Sequence, residues 1–303
     1  MKFSYLALFC FAALCCAQDD KIPTFKTETT LVKVDAEVTT PTGAGIGNLQ
    51  PSDFLVTDEG APQKVVDFAR EGEPLRLVLL LDVSGSMRPK LAELARACSH
   101  ALAVLRPGDE VAVMLFSDGT RLVQPFTPDL GGIGRRIIDS VYQAGLGEDT
   151  LINDAVLAAS QYVQKSTGRH AILIVTDNQT LRRSVSDQQT VRALQDANAV
   201  LNAIIVGEGI PLVNSRYASP ESAAPDVRNY TRVTGGEAVS EGKIGPVFER
   251  LVNQIRTRYY LQYSMPPGDP GSYRHIVVSL APAAQAEYPG AVIHARQGYY
   301  IPQ

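Results

Sequence analysis

Leu77-Val78-Leu79-Leu80-Leu81-Asp82-Val83-Ser84-Gly85-Ser86-Met87 decides how this chain is read. Its aliphatic run does not alternate, as expected of a strand buried on both faces, and it stops at a carboxylate followed by two hydroxyls. A helical pattern starts directly afterwards. Leu91, Leu94, Cys98, Leu102 and Leu105 recur at helical spacing, Pro89 sits where a first turn tolerates it, and Pro107-Gly108 is a stop. A buried parallel strand thus delivers Asp82, Ser84 and Ser86 to the carboxyl edge of a sheet. Small oxygen donors gathered there suit a hard divalent cation with open coordination positions.

Strand and helix keep alternating towards the C-terminus. Val111–Phe116 reads as a second strand with Arg121–Val123 beside it, and helices are predicted around Ile133–Tyr142 and Ile152–Gln164. Ala171–Thr176 is a third buried strand ending at Asp177. A helix over Thr190–Leu201, a strand at Ala203–Val206 and an edge strand near Val233–Val239 complete the pattern. Such alternation predicts right-handed βαβ units in an α/β fold: a doubly wound, mostly parallel, Rossmann-like sheet flanked by helices, over residues 73–242.

Both flanks have a β texture. In Thr30–Thr39, Val32, Val34, Ala36 and Val38 face one way and Lys33, Asp35 and Glu37 the other, the pattern of a half-exposed strand. Phe54–Val56 and Val65–Phe68 are short strands around the turn Asp58-Glu59-Gly60, within an N-terminal segment 24–72. The C-terminal segment 243–303 carries a helix from Ile244 to about Arg258, then strands at Tyr259–Tyr263, Ile276–Leu280 and Val292–Arg296. Neither flank alone has strands enough for a core, so the two are expected to form one small β module. The tyrosines around Tyr259–Tyr263 and Tyr299-Tyr300 are expected in its core.

Residues 1–17 have the form of a secretory signal: Lys2, an apolar stretch from Tyr5 to Cys16, and the small-residue context Cys15-Cys16-Ala17. That stretch is too short to span a bilayer core of about 30 Å, and no later segment is long and apolar enough. An exported protein is expected, whether periplasmic, secreted or attached to the cell surface. Of the four cysteines only Cys98 lies beyond the signal, which leaves no intramolecular disulfide and places Cys98 in helix packing. A net charge of −4 without any dense Lys/Arg cluster argues against nucleic acid as a partner.

Thr150, just before the helix that begins near Ile152, and Asp177 are expected at the same sheet edge as Asp82, Ser84 and Ser86. Two carboxylates and three hydroxyls make a weakly charged cage, in which a cation stays electrophilic enough to accept an acidic group. Helix capping is the alternative role for Asp82 and the serines. A hydrolytic Ser84 lacks both a Gly-x-Ser-x-Gly elbow and a base, since His100, His170, His275 and His294 are scattered.

Asp82-x-Ser84-x-Ser86, Thr150 and Thr176-Asp177 resemble the metal-ion-dependent adhesion site of the von Willebrand factor A domain, over about Pro74 to Val239. The resemblance implies that Ser84, Ser86 and Thr150 contact the metal directly or through water, with Asp82 and Asp177 acting through water or at one remove. It implies Mg²⁺, or Mn²⁺ or Ca²⁺, as the cation, and a protein partner that offers an acidic side chain. More narrowly, the chain is similar to von Willebrand factor A-related proteins abundant in acidobacteria. It shares with them Leu31-Val32-x-Val34-Asp35, Asp53-Phe54-x-Val56-x-Asp58-x-Gly60-x-x-Gln63 and Ala295-Arg296-x-Gly298-Tyr299-Tyr300. One departure is Asn178, where relatives often carry glycine; asparagine tolerates the left-handed conformation better than most residues. The function expected is metal-dependent, non-enzymatic adhesion. A metal-assisted hydrolase and a scaffold with an empty site are the alternatives.

Overall fold

A computed structural model describes residues 30–70, 73–143, 147, 149–180, 184–207, 224–240 and 244–303, so the expected signal segment lies outside the described residues. The chain enters through β1 (Leu31–Thr39), β2 (Phe54–Asp58), β3 (Ala61–Gln63) and β4 (Val65–Arg70). The α/β unit follows: β5 (Leu75–Asp82), α1 (Leu91–Ala101), β6 (Glu110–Phe116), β7 (Thr120–Thr127), α2 (Ile133–Gln143), α3 (Ile152–Val163), β8 (Arg169–Thr176), α4 (Asp187–Asp196), β9 (Ala199–Ile205), α5 (Val227–Thr234), β10 (Ala238–Ser240) and α6 (Ile244–Arg256). β11 (Tyr259–Ser264), β12 (Tyr273–Leu280), α7 (Pro282–Glu287), β13 (Val292–Ala295) and β14 (Gly298–Tyr300) close the chain. Among the described residues no helix is long and apolar enough to cross a membrane.

The central sheet has the order β10-β9-β8-β5-β6-β7 and is parallel except for β7, which returns antiparallel to β6. Side chains alternate along β5 and so feed two cores. Leu77, Leu79 and Leu81 pack with α1, α2 and α6, while Val78 and Leu80 pack with α3, α4 and α5. Burial on both faces accounts for the unbroken aliphatic run. Cys98 is fully buried in the first of these cores, and burial pushes its thiol pKa up, as befits an inert packing residue. The chain moves from β5 to β6 on one side and later to β8 on the other, so the topological switch lies between β5 and β8.

The terminal segments interleave in two four-stranded sheets, β13-β1-β11-β4 and β14-β12-β2-β3. Their shared core holds Val34, Phe54, Tyr259, Leu261, Tyr263 and Tyr299, among others. The turn from β2 to β3 has Glu59 and Gly60 both at positive φ (50° and 78°), the geometry that a two-residue hairpin loop demands.

Three expectations are corrected. β1 is not half-exposed: Asp35 and Glu37 are 4% and 6% exposed, because that face lies against the α/β unit and meets Arg169 and Arg258. The helix expected over Thr190–Leu201 starts at Asp187 and ends at Asp196. Ser186 caps it with Gln189, Asn198 turns left-handed at φ 47°, and Leu201 belongs to β9. The edge strand is confined to Ala238–Ser240, since Val233 belongs to α5.

Candidate metal centre

β5 ends at Asp82, whose fully buried carboxylate is held on both oxygens. The Ser84 amide donates to Oδ1 at 2.9 Å and the Thr176 hydroxyl, at the end of β8, donates to Oδ2 at 2.6 Å. A 3₁₀ turn, Gly85–Lys90, separates β5 from α1, and Ser84 occupies its N-cap position without any side-chain capping bond. Its Oγ lies instead 3.3 Å from the Oγ of Ser86, which is exposed. The capping role open to Ser84 is thus not the one it takes.

Asp177 follows β8 across the switch point and is 6% exposed, and its Oδ1 accepts the Gln179 amide at 3.0 Å. Its charge reaches Asp82. Burial, opposed by the bonds from Ser84 and Thr176 and reinforced by Asp177, raises the Asp82 pKa to about 6. Thr150 arrives by a different route. Its carbonyl accepts the Thr180 hydroxyl, and the next amide, of Leu151, donates to Ser117 O at 2.8 Å beyond the end of β6. No hydrogen bond among the described residues joins the Thr150 side chain to the other four. Asp82, Ser84 and Ser86 are therefore tied directly and Asp177 through its field, while the backbone of Thr150 and Leu151 bonds Thr180 and Ser117, outside the candidate set. Neighbouring Asp149 is exposed.

Two residues of the site were not assigned a role from sequence. Thr176 bonds the buried carboxylate directly, and its hydroxyl also accepts the Asn178 amide at 3.0 Å. Asn178 stands left-handed at φ 59° and reaches α5. Its Nδ2 donates to Asp226 Oδ1 at 3.0 Å, while its Oδ1 accepts the Val227 amide at 3.1 Å. Asp226 caps α5 through the Arg228 amide. Asparagine in place of glycine keeps the turn and adds a tether that glycine cannot supply. A hydroxyl directly before Asp177 was the available signal for Thr176; nothing local marks the Asn178–Asp226 contact across 48 positions.

The donor set is all oxygen, with one carboxylate that burial discourages from ionising. It fits a hard divalent cation, which would favour the ionised form of Asp82 and accept Ser84, Ser86 and Thr150 as neutral donors. Among the described residues no group of three or more His, Cys, Asp or Glu side chains is placed to hold a metal.

Residues 77–179 match the von Willebrand factor type A domain. The α/β unit has the von Willebrand factor type A fold. Three solved structures illustrate the likeness. A von Willebrand factor type A protein from Catenulispora acidiphila is 12% identical, with 92% of this chain and 76% of that one covered and a TM-score of 0.46. An aerotolerance-related membrane protein from Bacteroides fragilis is 16% identical over 60% and 98% of the two chains, with a TM-score of 0.47. Proximal thread matrix protein 1 from the mussel byssus, with a zinc-occupied MIDAS motif, is 14% identical over 67% and 50%, with a TM-score of 0.48. No curated protein gives a significant match. The match ends at Gln179, just past Asp177 and Asn178, so it spans all five candidate residues.

Proposed function

We propose that the protein is an exported, non-enzymatic binding protein. In this reading it takes a divalent cation, Mg²⁺ or else Mn²⁺ or Ca²⁺, at Asp82, Ser84, Ser86, Thr150 and Asp177 and offers it to an acidic side chain of a protein partner. The observation that carries the reading is the pair of serine hydroxyls 3.3 Å apart, free of capping bonds, beside a buried carboxylate whose pKa is raised. Ser84 and Ser86 would hold the cation as neutral donors. Asp82 and Asp177 would balance its charge, and Thr176 and the Ser84 amide keep Asp82 oriented. The cation itself supplies Lewis acidity towards a carboxylate. Few anionic donors leave it that capacity.

Adhesion is favoured over hydrolysis by where the bases stand. His170 lies at the opposite end of β8, its Nδ1 2.6 Å from Ala197 O, while His275 and His294 belong to the β module. Calorimetric titration of Mg²⁺ and Mn²⁺ into the protein is expected to show one saturable site, lost in Ser84→Ala and in Asp82→Ala. Undiminished binding in both variants overturns the reading.

A further inference from the structure

At the other end of the α/β unit, where the C-termini of α3 and α4 meet the β module, a cavity of about 490 Å³ opens, a volume typical of small-molecule sites at domain seams. Its wall carries Lys33, Arg192 and Arg296 and, among the described residues, a single acidic side chain, Asp196, which lies 3.6 Å from Arg192 Nε. One carboxylate thus faces three cations.

Arg296, from the closing motif, feels the charge of Asp35 without bonding its carboxylate. Its guanidinium donates to neutral oxygens only: Gly298 O at 2.9 Å, Gln195 O at 3.3 Å, Lys33 O at 3.4 Å and Asn198 Oδ1. Burial lowers its pKa. The nearby end of α4 supplies at most about half a unit of negative charge. Arg192 is held in place by stacking, its guanidinium carbon 4.6 Å from the Tyr300 ring centroid. Three cations and a single carboxylate among the described residues lining one cavity describe the complement of an anion.

We propose that this seam cavity binds a small oxyanion, carboxylate or phosphate. Arg192 and Lys33 meet the oxyanion from the rim and Arg296 from the floor. The site is separate from the cation edge and does not depend on it.

Isothermal titration of the full chain with glutamate and, separately, inorganic phosphate tests this, since the two probes carry the two oxyanions. Saturable binding of at least one is expected. It should weaken about tenfold or more in Arg192→Gln, which removes a charge-assisted bond at a solvent-accessible position, and fall likewise in Lys33→Gln. Ser84→Ala should bind as the parent does. The tighter probe identifies the oxyanion as carboxylate or phosphate. Absence of saturable binding with both probes, or binding unchanged in Arg192→Gln and Lys33→Gln, overturns the proposal.

Discussion

At Asp82, burial and the charge of Asp177 oppose ionisation while the Ser84 amide and the Thr176 hydroxyl favour it, and the balance leaves the pKa at about 6. An unfolded aspartate titrates near 3.9, so the folded state holds this proton more tightly. The stability linked to it is complete below about pH 4 and is lost as pH rises through about 6, a change of roughly 2–3 kcal/mol in the metal-free protein. Asp82→Asn removes the titration. Metal-free Asp82→Asn should therefore melt above the parent at pH 7.5 and match it more closely at pH 4.5, with Mg²⁺ raising only the parent. Scanning calorimetry at the two pH values with and without Mg²⁺ decides the matter. Asn178 permits a second comparison. Asn178→Gly keeps the left-handed turn but gives up the bonds to Asp226 and Val227, whereas Asn178→Ala gives them up and strains the backbone. Losses of about 1 and about 2 kcal/mol are expected in urea denaturation, in that order. The five candidate positions stand out in the sequence because each ends or starts a strongly patterned element. Thr176 and Asn178 were not given roles because they act through contacts distant in sequence.

Elements were readable in proportion to how much of their signal is local. β5, β6 and β8 announce themselves as unbroken aliphatic runs, and α1 by its spacing of Leu91, Leu94 and Cys98. The end of α4 was misplaced because Leu201 continues its apolar spacing, whereas the left-handed Asn198 had already ended it. α5 has no clear signal in the sequence; its apolar side is little more than Val227 and Tyr230, and its start depends on Asp226 and Asn178. The turn after α5 bears a sharper constraint. A Cβ on Gly236 would stand 1.8 Å from the Leu201 carbonyl oxygen and 2.7 Å from its carbon, both backbone atoms of β9. Gly236→Ala should thus push β10 from β9 and cost about 2–3 kcal/mol, seen as a lower urea midpoint.

For the molecule as a whole, buried ion pairs hold the β module against the sheet. Arg169 meets Asp35 at 2.8 Å and Arg258 meets Glu37 at 3.2 Å, all four side chains nearly inaccessible to solvent. Arg258 also donates to the carbonyls of Asp35, Gly235 and His294, so it joins both units. Alternation in β1 had suggested a solvated charged face because the partners come from distant elements. Arg258→Met should cost about 3–5 kcal/mol by stranding Glu37, and adding Glu37→Gln should recover part of the loss, a coupling that a double-mutant cycle by chemical denaturation would reveal. The same arrangement has a mechanical side. The pairing residue Arg169 begins β8 and Asp177 directly follows its end, about 26 Å away by strand rise. A pull between a partner at the cation and an anchor on the β module would run lengthwise along β8 and β5. It would shear their ladder of hydrogen bonds together, where a pull across the sheet would peel them one by one. Under the adhesion reading proposed above, the fold is oriented to bear tension along the direction in which a partner would apply it.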